Sequence, residues 1–266
     1  PAAIVALSGG VGGAKLALGL SRLVAGDELL VVANTGDDFE HLGLTICPDL
    51  DTVTYTLSGL ANPELGWGRA DETWGFMAAL EQLGGETWFN LGDGDLALHL
   101  LRGERLARGD SLSSVTRAVT ERLGIAARIV PMSDDPVRTY VRTADGPLAF
   151  QHYFVRDRCE PAVGGFEFRG IEGARPQAEF IAALAADDLR AVVITPSNPF
   201  VSIDPILELP GVRRALADAA APIIAVSPIV GGQAIKGPAA KMMAELGMPG
   251  SALAVAEHYG GLLDGF

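Results

Sequence analysis

The chain has 266 residues, 48% hydrophobic and 20% charged, with a net charge of −13 at pH 7. That suffices for one large domain or two small ones and is too apolar for disorder. The negative balance excludes a general nucleic-acid binder, which needs a basic face, but not a nucleotide enzyme, where backbone N–H groups and a metal meet the phosphates.

Residues 3–7 form a short apolar run ending at glycines, which reads as a buried parallel strand. The start lacks a basic leader and a cleavage site, so it reads as a strand and not a signal peptide. Residues 14–24 follow with Leu16, Leu20 and Leu23 at helical spacing. Residues 28–33 make a second strand, ending in Asn34-Thr35-Gly36-Asp37-Asp38. Strand, glycine turn, helix and strand make a βαβ unit with a right-handed crossover. A helix is expected over 49–60, a loop over 61–70, and helices over 71–83, 95–107 and 111–123, the last capped at Ser111. Strands are expected at 87–90 and 127–131. Residues 138–143 and 148–155 flank the hairpin signal Ala144-Asp145-Gly146-Pro147.

The last third returns to α/β rhythm. A helix over 174–186 precedes a strand over 191–195, which ends in Pro196-Ser197-Asn198-Pro199. A helix over 212–219 precedes a strand over 223–227, which ends in Pro228-Ile229-Val230-Gly231-Gly232. Helices over 238–246 and 251–263 follow. The expectation is an α/β fold, with one Rossmann-like, doubly wound, mostly parallel sheet in a single domain over 1–266. A mostly helical lobe is inserted over about 61–125. Such sheets often continue, so a further strand and helix are expected after Phe266. No run reaches about 18 uninterrupted apolar residues, so no membrane span is expected. Cys47 and Cys159 are the only cysteines and read as buried thiols of a cytoplasmic protein.

Ser8-Gly9-Gly10-Val11-Gly12-Gly13-Ala14-Lys15 is the first candidate site. Glycines let a backbone approach a phosphate, and the following helix supplies open N–H groups and a positive dipole end. The pattern is neither a Walker A loop nor a standard GxGxxG. A tight turn without a ligand is the plainer reading. Asp37, Asp38, Asp49 and Asp51 form an acidic series; the last two fall in the first turn of a helix, where they suit the dipole or hold Mg²⁺ against a phosphate. Asp93, Asp95 and His99 offer carboxylates and an imidazole for a polar ligand edge or a proton, or else cap a helix and satisfy a histidine. Met132-Ser133-Asp134-Asp135-Pro136 and Pro196-Ser197-Asn198-Pro199 follow predicted strands. Asn198, rigid between prolines, suits a base edge or simply a turn. The segment 227–238 adds backbone donors and the cation Lys236 near the same rim. Trp67 and Trp74 would cover a flat aromatic ligand or anchor the lobe. These strand-end segments converge on one crevice. No Ser-His-Asp order or cysteine nucleophile stands out, and phosphate plus carboxylates points to metal-assisted phosphoryl transfer.

The motifs at 8–15, 34–38, 47–52, 66–68, 71–74, 91–99, 132–136, 196–199 and 227–231 cover the chain in order. Together they resemble the 2-phospho-L-lactate transferase family, which builds the deazaflavin coenzyme F-420. The resemblance implies that the terminal hydroxyl of the deazaflavin Fo attacks the phosphorus bearing a three-carbon acid in a guanosine diphospho donor. GMP leaves, Mg²⁺ is the cofactor, and a homodimer is the expected assembly. It implies that Gly9, Gly10, Gly12, Gly13 and Lys15 hold the donor phosphates and that Ser197 and Asn198 read guanine. Asp49 and Asp51 would hold the metal, and Asp37 joins them in the catalytic set. Asp38, Asp93, His99, Met132, Ser133 and Asp134 would meet Fo. The acid is phospholactate, phosphoenolpyruvate or 3-phosphoglycerate. The chain departs from the family at Gly94, where arginine is frequent. Two alternatives remain: a nucleotide-sensing regulator of a related Gly-Gly-x-Gly-Gly family, and an NAD(P)-binding oxidoreductase with Asp37 or Asp38 on the ribose.

Overall fold

The computed structural model describes residues 2–266. Strand β1 (Ile4–Ser8) runs into helix α1 (Gly10–Leu20), and β2 (Leu29–Ala33) follows. A hairpin of β3 (Phe39–His41) and β4 (Leu44–Ile46) leads to α2 (Pro48–Ser58). Proline in its first turn and a left-handed Gly59 at its C-cap fix the ends of α2. Helices α3 (Gly75–Gln82), α4 (Asp93–Ala107) and α5 (Leu112–Arg122) precede β5 (Arg128–Pro131).

Strands β6 (Arg138–Thr143), β7 (Gly146–Ala149) and β8 (Gly165–Arg169) form a separate antiparallel sheet with β6 in the middle. Helix α6 (Ala178–Leu184) leads to β9 (Ala191–Ile194). A π-helical turn over Pro199–Ile203 runs into α7 (Asp204–Leu207), then α8 (Val212–Asp218) and β10 (Ile223–Ala225). A small hairpin of β11 (Ile229–Val230) and β12 (Gln233–Ala234) precedes α9 (Ala239–Glu245) and α10 (Ala252–Tyr259).

The central sheet has five strands, all parallel, in the order β10-β9-β1-β2-β5. Alternation along its strands splits the core in two. Val5, Leu7, Leu30, Val32, Val192 and Ile194 face one layer, closed by α6, α8, α9, α10 and the 199–207 segment. Ala6, Leu29, Val31, Ala33 and Ile129 face the other, where α1 and α2 contribute Ala14, Ala17, Leu50 and Val53. The strand order reverses between β1 and β9, so a doubly wound sheet opens its crevice there. Gly265 forms an isolated parallel bridge to Ile224 of β10.

Several expected boundaries differ. Helix α1 begins at Gly10 and not at residue 14, so most of the glycine segment is the helix's own first turn. Residues 87–90 form no strand; Trp88 and Phe89 pack with Phe39, Ile46, Met77 and Leu91 in a satellite core. The expected strand over 148–155 ends at Ala149, and a π-helical turn takes His152–Arg156. Helix α5 packs on β5 and α2, so it belongs to the sheet's own helical layer. The β3–β4 hairpin turns through Leu42 and Gly43, both at positive φ, and had no Asn-Gly signal to reveal it.

The glycines at the head of α1 answer to packing. A Cβ on Gly12 would lie 2.5 Å from the Pro196 carbonyl oxygen, and one on Gly13 would run into Ser8, Thr195 and Ser197. Gly10 has open space but sits at φ +65°, a left-handed backbone that glycine tolerates. Gly12→Ala is therefore expected to destabilise the protein by about 1–3 kcal/mol through overpacking against a backbone atom. Chemical denaturation of this variant beside Gly19→Ala, which meets nothing within 4 Å, checks it. Equal midpoints for the two would refute the packing account.

Candidate functional site

The loop leaving β1 is held from two sides. Ser197, after β9, accepts a hydrogen bond from the Gly9 N–H at 3.0 Å and donates to the Gly9 carbonyl at 2.6 Å. Asp49, in the first turn of α2, accepts from the Gly10 N–H at 2.8 Å through one oxygen. Its other oxygen accepts from Asn34 Nδ2 at 2.9 Å. Asn34, at the end of β2, also donates to the Val201 carbonyl at 3.1 Å and accepts from the Gly36 N–H. One buried asparagine thus ties three strand-end segments together. The N–H groups of Val11 and Gly12 lie in the first turn of α1, where no intrahelical acceptor exists and no side chain caps the end. A half-buried pair of uncapped donors at a positive dipole end suits a phosphate.

Beside this turn the acids crowd. Asp37, Asp38, Asp49 and Asp51 are each at most 8% exposed. Burial pushes Asp37 well above the carboxylate range, and the nearby Asp49 and Asp38 push it further. Burial raises Asp38 to about 8, against the pull of Arg138, a Cys47 hydrogen bond and Arg102. Burial raises Asp49 to about 6, against the hydrogen bonds from Asn34 and Gly10. Asp37 Oδ1 and Asp38 Oδ1 are buried without a hydrogen-bond partner among the described residues. Uncompensated buried carboxylate oxygens beside open N–H donors fit a hard divalent cation shared with a phosphate.

Asp51 leaves the first turn of α2 for different partners. It pairs with Arg102 on α4, whose guanidinium also donates to the Thr45 carbonyl at 3.1 Å. His99 Nδ1 lies 3.7 Å from Asp51, and His99 Nε2 lies 3.0 Å from Asp95. Tyr55 donates to Asp95 at 2.5 Å. Burial raises Asp51, though Arg102 and His99 favour its charged form. Burial also opposes charge on Asp95, yet the His99 and Tyr55 hydrogen bonds hold its carboxyl below the usual range. The set of side chains placed to hold a metal together is Asp51, Asp95 and His99. Asp49 and Asp51, expected as one metal pair, are divided between the glycine loop and α4.

Other expected ligand residues have partners inside the protein. Asp93 caps α3, accepting from Thr73 Oγ1 and the Gly75 and Phe76 N–H groups. Glu72 caps α4 in return, accepting from the Gly94 and Asp95 N–H groups at 2.7 Å. Asp134 accepts from Ser113 at the start of α5. Ser133 donates to the Arg175 carbonyl, and Met132 is fully buried in the main core. Asn198 caps the 199–203 turn, accepting from the Phe200 and Val201 N–H groups. Ser197 holds the glycine loop itself. Each of these side chains thus has a role within the fold. Lys15 is exposed on α1. Trp67 and Trp74 are 46% and 41% exposed, so neither is a core anchor.

Arg102, Tyr55, Glu72 and Asn34 were not singled out from sequence. A signal existed for Arg102, since Asp95, His99 and Arg102 fall at i, i+4 and i+7 on one helical face. The Gly94 departure also has a structural counterpart. Arg69 Nη1 donates to the Gly94 carbonyl at 3.1 Å and would lie 3.0 Å from a Cβ at 94. A guanidinium reaches the neighbourhood of position 94 from another loop.

Residues 4–264 match the family model described as 2-phospho-L-lactate transferase CofD. The chain belongs to this family. It is 46% identical over 270 residues to a protein of Kitasatospora aureofaciens named phosphoenolpyruvate transferase, spanning 99% of this chain and 84% of that one. Proteins of the same name from Streptomyces coelicolor and Mycobacterium tuberculosis are 45% and 41% identical, spanning 99% and 98% of this chain and 84% and 86% of theirs. Among solved structures, a Bacillus halodurans protein of the UPF0052 family superposes with a TM-score of 0.59 at 17% identity, over 84% of this chain and 67% of that one. That likeness concerns the fold. Among the described residues no helix is long and apolar enough to cross a membrane.

The buried acids set a pH dependence. A carboxyl whose folded pKa is raised gives stability that is present at low pH and lost as pH rises through that pKa. In cation-free protein the loss is expected through about 6 for Asp49 and about 8 for Asp38. Thermal melts from pH 5 to 8.5 should fall with pH, and Asp38→Asn should flatten the upper part. Mg²⁺ should raise the melting temperature at pH 8 by several degrees and do little at pH 5. Parallel curves for both proteins, indifferent to Mg²⁺, would contradict the buried-charge account.

Proposed function

We propose that the protein transfers a phosphorylated three-carbon acid from a guanosine diphospho donor to the terminal hydroxyl of Fo, releasing GMP, in coenzyme F-420 biosynthesis. The observation that carries this is the family match over nearly the whole chain. The names of the relatives favour phosphoenolpyruvate as the acid. The open N–H groups of Val11 and Gly12, at the point where the strand order reverses, support a phosphate-binding role for the loop.

In this reading the first turn of α1 binds the donor's phosphates, and Asn34, Asp49 and Ser197 keep that turn in place. The acids that would offer oxygens to Mg²⁺ are Asp37 and Asp38, whose Oδ1 atoms are unpartnered among the described residues, and Asp51 of the Asp51–Asp95–His99 group. The chemistry such a metal supplies is to neutralise phosphate charge during transfer. The Fo hydroxyl oxygen forms the new bond to phosphorus, the bond from that phosphorus to the GMP oxygen breaks, and the hydroxyl proton passes to a carboxylate. Asp37 is the proposed acceptor, because its buried Oδ1 has no hydrogen-bond partner among the described residues and is free to take a proton. The exposed Trp67 and Trp74 offer flat faces to an aromatic acceptor.

Mass spectrometry of the product formed from Fo with each donor tests the reaction. Phosphoenolpyruvyl Fo is expected as the main product, and absence of any phospho-acyl Fo from all three donors would sink the proposal. The acid set is tested separately. Asp49→Asn is expected to lower turnover by about 100-fold or more at saturating Mg²⁺, as for loss of a charged group that organises the transition state. Near-normal turnover in both Asp49→Asn and Asp51→Asn would remove the metal from α2.

A further inference from the structure

Two tips of chain meet at the mouth of the crevice. One is the 61–69 loop, where Leu65 and Trp67 are 48% and 46% exposed. The other is the β11–β12 hairpin, which turns through Gly231 and Gly232 and continues to Lys236. Their polar contact is a single long hydrogen bond, from Lys236 Nζ to the Leu65 carbonyl at 3.3 Å. Gly66 makes it possible. A Cβ there would collide with Lys236 Nζ and would also lie 3.9 Å from Val11 Cγ1. Lys236 Nζ and the Val11 side chain thus flank the same point of the 61–69 loop, which brings the ammonium near Val11, in the first turn of α1.

The cations around this turn are otherwise engaged. Arg102 pairs with Asp51, Arg138 lies by Asp38, and Arg69 donates to Gly94. Lys15 points to solvent from α1. Lys236 has no carboxylate partner among the described residues. A diphosphate arriving beside Asp37, Asp38 and Asp49 meets negative charge that two N–H groups offset only in part. An ammonium on a flexible stem, held by one long bond to a neutral carbonyl, is suited to move to an anion.

We propose that Lys236 is a donor-binding residue: its ammonium exchanges the Leu65 carbonyl for an oxygen of the diphosphate held at the head of α1. The inference rests on the donor reading given under the proposed function. It makes the contact between the hairpin and the 61–69 loop sensitive to the donor, with Trp67 beside it as a built-in reporter.

Calorimetric titration of GDP with Mg²⁺ into wild type, Lys236→Met and Lys236→Arg tests it, with inorganic pyrophosphate as a second probe. Lys236→Met should weaken GDP by about 10-fold or more, as expected for one charge-assisted contact to phosphate. Lys236→Arg should stay within about threefold of wild type, since it keeps the charge. Wild-type tryptophan fluorescence should shift on GDP addition, and the shift should shrink in the Met variant. Unchanged GDP affinity in Lys236→Met overturns the proposal. So does a fall in its melting temperature of about 5 °C or more without a loss of affinity, which would mark the contact as structural. Wild type that binds pyrophosphate but not GDP overturns the guanosine donor alone, and the pyrophosphate affinities then decide on Lys236. Wild type that binds neither overturns both.

Discussion

The site depends on how the loop after β1 is gripped. Ser197 bonds both the N–H and the carbonyl of Gly9, and Asp49 takes the next N–H. Asn34 then binds Asp49 to the backbone at Val201. Strands β1, β2 and β9, the start of α2 and the 199–203 turn thus meet through a few buried polar atoms. Each such bond contributes only about 1 kcal/mol, but breaking one strands its buried partner at a larger cost. The glycines belong to the same arrangement, since side chains at 12 or 13 would push the loop off Pro196 and Ser197.

Around that grip, one helical turn serves two environments. Asp49 and Asp51 are neighbours in sequence, equally buried, and both in the favourable first turn of α2. Asp49 meets neutral donors only. Asp51 meets Arg102 and His99. The desolvation is similar and the compensation differs in kind. Asp49 is held by hydrogen bonds from neutral donors, and Asp51 by an ion pair that leaves its Oδ2 without a hydrogen-bond partner among the described residues. Arg102 on α4 pairs with Asp51, whereas among the described residues Asp49 has no cation as a hydrogen-bond partner.

Much of the fold was legible. The five apolar runs that became β1, β2, β5, β9 and β10 stand out as continuous stretches, and the inner strands β1 and β2 are buried on nearly every residue. The β3–β4 hairpin was hidden because its turn uses Leu42, a residue with no turn preference. Residues 87–90 misled because aromatic side chains mark both strands and small packed clusters. The segments that form the crevice were also visible, as polar or glycine-rich stretches after strands. What each side chain does there was not. Asn198, Ser133, Asp134 and Asp93 have the residue types of a ligand site, yet the same types close turns and cap helices. Only the fold shows which acceptors the backbone has already taken. Arg102 was missed for the complementary reason, since a lone basic residue on a helix reads as solvent-exposed until its partners are seen.

Helices α3 and α4 exchange caps. Each helix starts on a carboxylate borrowed from the start of the other: Asp93, the first residue of α4, for α3, and Glu72, just before α3, for α4. The two helices are thereby fastened at their starts. Helix α4 carries Asp95, His99 and Arg102, which meet α2 at Tyr55 and Asp51. Glu72 belongs to the 61–74 segment with its exposed tryptophans. A chain of polar contacts therefore runs from that exposed segment, through α4, to the helix whose first turn holds the phosphate loop.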